Sequence, residues 1–129
     1  MEARTAILAG GGLHLLWAAF HLAFPRLFRW HESLAGLDRV NRGILRVMNL
    51  CLIFMFLAAA WLSQAFTGEI SATPLGRALC AALAGFWVFR LGLQFTHFRA
   101  LDPRSLVLST LFTATSLAYA APLLFLTAP

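Results

Sequence analysis

Residues 106–126 read LVLSTLFTATSLAYAAPLLFL, an apolar run without one ionisable side chain. About 20 helical residues, rising 1.5 Å each, cross the ~30 Å hydrocarbon core of a bilayer. This stretch therefore reads as a transmembrane helix, and three more like it lie upstream. One covers about residues 5–24, with Pro25 and Arg26 closing it; the next covers 44–66, with Thr67 and Gly68 as an exit turn; another covers 74–98, opened by Thr73 as a cap and Pro74 at the first helical position. Strand-like alternation is absent, which excludes a β-barrel. The predicted fold is an all-α integral membrane protein, a bundle of four transmembrane helices forming a single domain over residues 1–129.

Composition agrees with that reading. The 129 residues are 60% hydrophobic and only 12% charged, and the mean hydropathy is +0.79. Soluble domains are far more polar. The net charge of +5 comes from ten basic residues, all arginine, which cluster at the ends of apolar runs. That is the signature of membrane topology, and no nucleic-acid partner is expected. Cys51 and Cys80 sit singly inside apolar runs without a CxxC pair, which disfavours dithiol redox chemistry and cysteine-held metal.

Arginine placement also orients the chain. The connection between the first two spans, with its flanks, carries Arg26, Arg29, Arg39, Arg42 and Arg46, and the connection between the last two carries Arg99 and Arg104. The opposite side has Arg4 and Arg77. Seven against two puts both basic connections in the cytoplasm and both termini outside, in a multi-pass protein of a bacterial inner membrane. Within the first connection Leu27, Trp30, Leu34 and Leu37 recur at helical spacing while the charges fall largely elsewhere on the wheel. An amphipathic helix lying in the interface is expected there, over about 27–37.

Polar groups inside the spans mark the candidate site, because hydrocarbon excludes them unless they serve packing or function. They are His14 and His21 on span one, Asn49 on span two, and Arg90 and Gln94 on span three. Counted at 1.5 Å per residue from the cytoplasmic ends, His21 and Gln94 lie about 5 Å deep, Asn49 about 8 Å, Arg90 about 10 Å and His14 about 15 Å. His14 and His21 form one stripe, and Arg90, Gln94 and His97 another. The two stripes are expected to face one another around a cavity opening to the inner leaflet. Glu2, Glu32, Asp38, Glu69 and Asp102 all fall outside the spans, so Arg90 must meet a loop acid folded inward such as Glu32 or Asp38, backbone carbonyls, or an anionic or carbonyl-bearing ligand, unless it snorkels to the headgroups. The histidines read first as hydrogen-bonded interior residues. Seven positions apart on one helix, they cannot share a metal ion, and haem would require His21 paired with His97. Trp17, Trp61 and Trp87 read as core packing, with an aromatic wall for a flat ligand as the other reading. Gly10, Gly11 and Gly12 predict a close helix contact, and Gly85 with Gly92 a second one.

The segment 85–95, GFWVFRLGLQF, carries a W-x-x-R-x-x-x-Q-F pattern through Trp87, Arg90, Gln94 and Phe95. With the His14/His21 spacing and the stretch through Trp30, Leu34, Leu37, Asn41 and Arg42, it resembles a group of small, uncharacterised bacterial four-helix membrane proteins. The resemblance implies the architecture and no activity.

Three functions compete. The leading one is a binding or accessory protein that holds a lipid, quinone or similar amphiphile, its head at Arg90, Gln94, His21, Asn49 and His14, alone, as a homo-oligomer or within a larger membrane complex. The alternatives are a membrane enzyme with His21 or His14 as general base and Arg90 as electrostatic stabiliser, or a haem-binding electron-transfer subunit. Transport ranks last, for want of an inverted repeat or broken helices.

Overall fold

The computed structural model describes residues 3–98 and 102–125. Glu2, Arg99 and the end of the fourth span at residue 126 lie outside the described residues. Six helices follow in order: α1 (Ala3–Leu27), α2 (Trp30–Ser33), α3 (Arg39–Ala65), α4 (Thr67–Ala72), α5 (Pro74–His97) and α6 (Pro103–Phe125), with no strand among the described residues. Four of these, α1, α3, α5 and α6, are long and apolar enough to cross a membrane. Their outer faces expose Leu15, Leu16, Phe54, Met55, Val88, Val107 and Leu117, a surface that water would not solvate and lipid does. The chain is a multi-pass membrane protein in contact with lipid.

Two boundaries differ from the sequence reading for physical reasons. α1 runs through Pro25 instead of stopping there. Proline supplies no N–H to the carbonyl four residues back, which strands the oxygen of His21, and the Asn49 side-chain amide on α3 donates to that oxygen at 3.0 Å. A neighbouring helix thus satisfies the freed group, the usual way a membrane helix tolerates proline. α3 begins at Arg39, one turn ahead of its apolar run, because Asp38 caps it: the carboxylate accepts from the backbone N–H groups of Val40 and Asn41 and from the Asn41 amide. These bonds, those from Asn41 foremost, hold the Asp38 carboxyl below the usual carboxylate range.

The helical segment between the first two spans is present but short. Only Trp30–Ser33 is α-helical, because Arg29 adopts a left-handed conformation (φ 47°, ψ 52°) that separates it from α1. Leu34 is buried, and Arg42 holds the following turn by donating to the carbonyls of Ala35 and Leu37 at 3.2 and 2.8 Å. At the opposite end the predicted exit turn at Thr67 and Gly68 winds into α4. Gly76, in the first turn of α5, lies against the backbone of Ile70 with no room for a β-carbon. Thr73 caps α5, accepting from the Gly76 N–H at 3.0 Å.

Around the bundle the packed order is α3, α1, α6, α5. α1 touches α3 on one side and α6 on the other, and α6 in turn packs along α5. α3 and α5, the two ends of this series, keep their backbones apart among the described residues. Phe56 of α3 reaches inward to stack on Trp87 of α5, ring centroids 5.6 Å apart, but above and below this bridge the wall stays open. Gly10 and Gly11 make the close contacts expected of them, a β-carbon on Gly10 falling 2.7 Å from the Tyr119 ring and one on Gly11 2.9 Å from the Ser63 β-carbon. Gly12 has open space around its β position. So do Gly85 and Gly92, which corrects the expected second contact face: no neighbouring helix approaches them.

Candidate functional site

A cavity of about 620 Å³ occupies the α2 end of the bundle, walled by all four long helices. Its polar lining consists of Arg90 and Gln94 from α5 and His21 from α1, and aromatic rings supply most of the rest: Trp17, Phe24, Trp30, Phe56, Trp87 and Phe112 among them. Successive turns of α5 carry Trp87, Arg90 and Gln94 to one face. Trp17, Trp87 and Phe112 stack at 4.8 to 5.7 Å with interplanar angles of 17 to 27°, a layered aromatic cluster at one side of the cavity.

Arg90 is half-buried here. One guanidinium N–H donates to Gln94 Oε1 at 3.1 Å, and the Gln94 amide nitrogen donates onward to Ser105 Oγ of α6 at 2.6 Å. Gln94, 1% exposed, is therefore engaged at both ends of its amide, which orients it. The guanidinium carbon lies 4.5 Å from the Phe112 ring centroid and 5.7 Å from that of Phe98, an arrangement worth about 0.5–2 kcal/mol. No carboxylate pairs with Arg90 among the described residues. Of the two loop acids named as possible partners, Glu32 pairs with Arg29 at 2.5 Å and Asp38 caps α3, so neither of these folds inward to Arg90. The other N–H groups of Arg90 remain as donors without a protein acceptor among the described residues.

His21 offers the complement. Its Nδ1 lies 2.9 Å from the Trp17 carbonyl, which can only accept, so Nδ1 carries a proton and, in the neutral ring, Nε2 presents a lone pair. Among the described residues Nε2 has no hydrogen-bond partner. The ring is stacked on Phe24 at 4.2 Å and held edge-on by Phe56 at 5.0 Å. One cavity thus displays a fixed cationic donor and a fixed neutral acceptor within apolar walls.

The other predicted site residues lie elsewhere. His14, 1% exposed, does not face Arg90. The Trp87 indole N–H donates to His14 Nε2 at 3.3 Å, so His14 Nδ1 bears the proton, 3.0 Å from the Gly10 carbonyl and 3.1 Å from the Tyr119 hydroxyl. Tyr119 also bonds Ser63 at 2.8 Å. This junction ties α1, α3, α5 and α6 together and occupies both nitrogens of His14. Asn49 lies on the far side of α1, in a shallow pocket of about 390 Å³ with Pro25, Trp30, His31 and Arg46. Its Nδ2 is used by the His21 carbonyl, and its buried Oδ1 has no partner among the described residues.

His97 is exposed, its Nδ1 within 2.7 Å of Thr96 Oγ1, and it does not line the cavity. The His21–His97 pair needed for haem is therefore not assembled, and among the described residues no group of three or more His, Cys, Asp or Glu side chains is placed to hold a metal ion. Trp17 and Trp87 are core residues as expected, whereas Trp61 is 60% exposed to the lipid side, against Phe66. Ser63, Ser105, Thr115 and Tyr119, which complete the polar contacts, escaped the sequence reading. Hydroxyls carry no charge and are common in membrane helices; the one available signal was Tyr119, the only tyrosine, in the middle of a span.

A second cavity of about 360 Å³, apolar except for His14 in its lining, adjoins the first between α3 and α5. Leu52, Phe56 and Phe86 border both. Comparison of the chain with protein-family models, with curated proteins and with solved structures finds no match.

Proposed function

We propose that this protein binds a membrane amphiphile, its oxygen-bearing head held between Arg90 and His21 and its apolar part leaving through the gap between α3 and α5. The observation that carries this reading is the uncompensated Arg90 guanidinium, fixed by Gln94 and Phe112 in a cavity whose walls are otherwise aromatic. A half-buried charge without a counter-ion is costly in a bilayer, and an anionic or carbonyl oxygen from a ligand removes that cost. A lateral opening suits a ligand that arrives from the bilayer. Trp87, Arg90 and Gln94 then have distinct parts, as wall, donor and positioning residue, which is how the W-x-x-R-x-x-x-Q-F stretch would serve the small bacterial four-helix group it resembles.

Arginine asymmetry puts the cavity end in the cytoplasmic leaflet of a bacterial inner membrane with both termini outside. A periplasm-dependent alkaline phosphatase fused to the C-terminus is expected to be active, and a green fluorescent protein there dark; the reverse pattern overturns the orientation. The binding reading is tested by purifying the protein in mild detergent and weighing extracted lipids by mass spectrometry. One class of amphiphile should persist in near-stoichiometric amount. An extract that mirrors the bulk membrane overturns the proposal.

A further inference from the structure

The two neighbouring cavities, which share Leu52, Phe56 and Phe86 as a border, constrain the shape and head chemistry of the occupant, and on them, resting on the amphiphile reading above, we propose that the ligand is a single-tailed lipid monophosphate. The first constraint is length. The lining residues run over positions 48–62 of α3 and 79–94 of α5, roughly 21 Å along each helix. One leaflet of hydrocarbon is only about 15 Å deep, so the tail crosses the midplane. The second constraint is width. The apolar half, about 360 Å³, holds around a dozen groups the size of a water or a methylene at roughly 30 Å³ each. That is room for one extended chain over such a length, not two, so the gap matches a single-tailed lipid, and the second chain of a diacyl lipid would lie outside it in the bilayer.

The head follows from the donors. Arg90 has spare N–H groups, a permanent charge and no carboxylate among the described residues, which favours an anion over a neutral quinone. His21 presents a bare Nε2 to the same space, which calls for a hydrogen between it and the ligand. A phosphate monoester supplies both: it is an anion and retains a proton whose pKa is about 6, so an O···H···N bond forms whichever atom holds that proton. A phospholipid diester has no such proton, and an ionised fatty acid has none either.

The test uses the full chain in phosphatidylcholine nanodiscs, with geranylgeranyl monophosphate as probe and its methyl diester, palmitate and a short-tailed quinone as comparators, read by native mass spectrometry. The monophosphate should bind at least about tenfold more tightly than each comparator. Ala82→Phe, which fills the apolar gap away from the head site, should weaken geranylgeranyl monophosphate about tenfold and leave geranyl monophosphate unchanged; retained binding of the short probe also reports an intact fold. If palmitate or the quinone binds as well as the monophosphate and is lost in Arg90→Leu, the head assignment is overturned while the amphiphile reading stands. If Ala82→Phe affects neither phosphate, the tail is not in the gap and the proposal fails. If no probe exceeds the phosphatidylcholine background, both readings fall together.

Discussion

Replacing Arg90 with leucine is expected to strip the purified protein of its co-purifying amphiphile while the four helices still insert. The change removes the only cation lining the cavity among the described residues and little apolar contact, so at least a tenfold loss of retained ligand is expected, about 1.4 kcal/mol or more. Its structural cost is small, since Gln94 Oε1 loses one donor but keeps the bond from its amide to Ser105. Arg90→Lys should recover binding only in part, because an ammonium is a point charge and cannot engage two oxygens with a planar fork or stack on Phe112 as the guanidinium does. Quantified lipid extracts and thermal denaturation of the three proteins in one detergent check this. A leucine variant that melts higher and retains the same lipid would reduce Arg90 to a residue reaching for the headgroups.

A large loss of stability is expected from Gly10→Leu. A β-carbon at that position falls 2.7 Å from the Tyr119 ring, so the larger side chain must drive Tyr119 away from both His14 and Ser63. Overpacking costs about 1–3 kcal/mol, and each interhelical hydrogen bond lost in a membrane adds roughly 0.6 kcal/mol. A destabilisation of about 3 kcal/mol follows. Gly12→Leu provides the control on the same helix, since its β position is open and faces outward; it should be neutral, or mildly stabilising because glycine is a poor helix former. Equilibrium unfolding in mixed micelles separates the two. Equal effects would show that the glycine run does not seat Tyr119.

The four spans were legible because each is a long apolar run bounded by arginine, proline or a cap, and membrane solvation acts locally along the chain. Helix order was not legible. Nothing local in the α3 or α5 sequences says that they will stand apart, and the gap between them is the feature that turns a cluster of polar residues into a site open to lipid. The same non-locality divided the two histidines. His21 and Arg90 line one cavity, as their depths implied, but one helical stretch further out Trp87 fills the space, bonds His14 and closes the stripe. Depth and periodicity place a side chain on a face; only packing decides whether that face meets a partner or a void. Pro25 misled for a related reason, since the rule that ends a helix at proline assumes that no one else will take the freed carbonyl.

That carbonyl makes Pro25 and Asn49 a genetic pair. Asn49→Leu alone leaves the His21 oxygen bare within the bilayer, whereas Pro25→Ala supplies an N–H to that oxygen, whose two lone pairs can keep the Asn49 amide as well. Made together, the two changes rebuild an ordinary helical bond next to an ordinary apolar contact. Asn49→Leu should thus be harmful in the wild-type background and tolerated together with Pro25→Ala, so lineages that lose the asparagine are expected to lose the proline too, and a library randomised at positions 25 and 49 should return proline only with a donor at position 49.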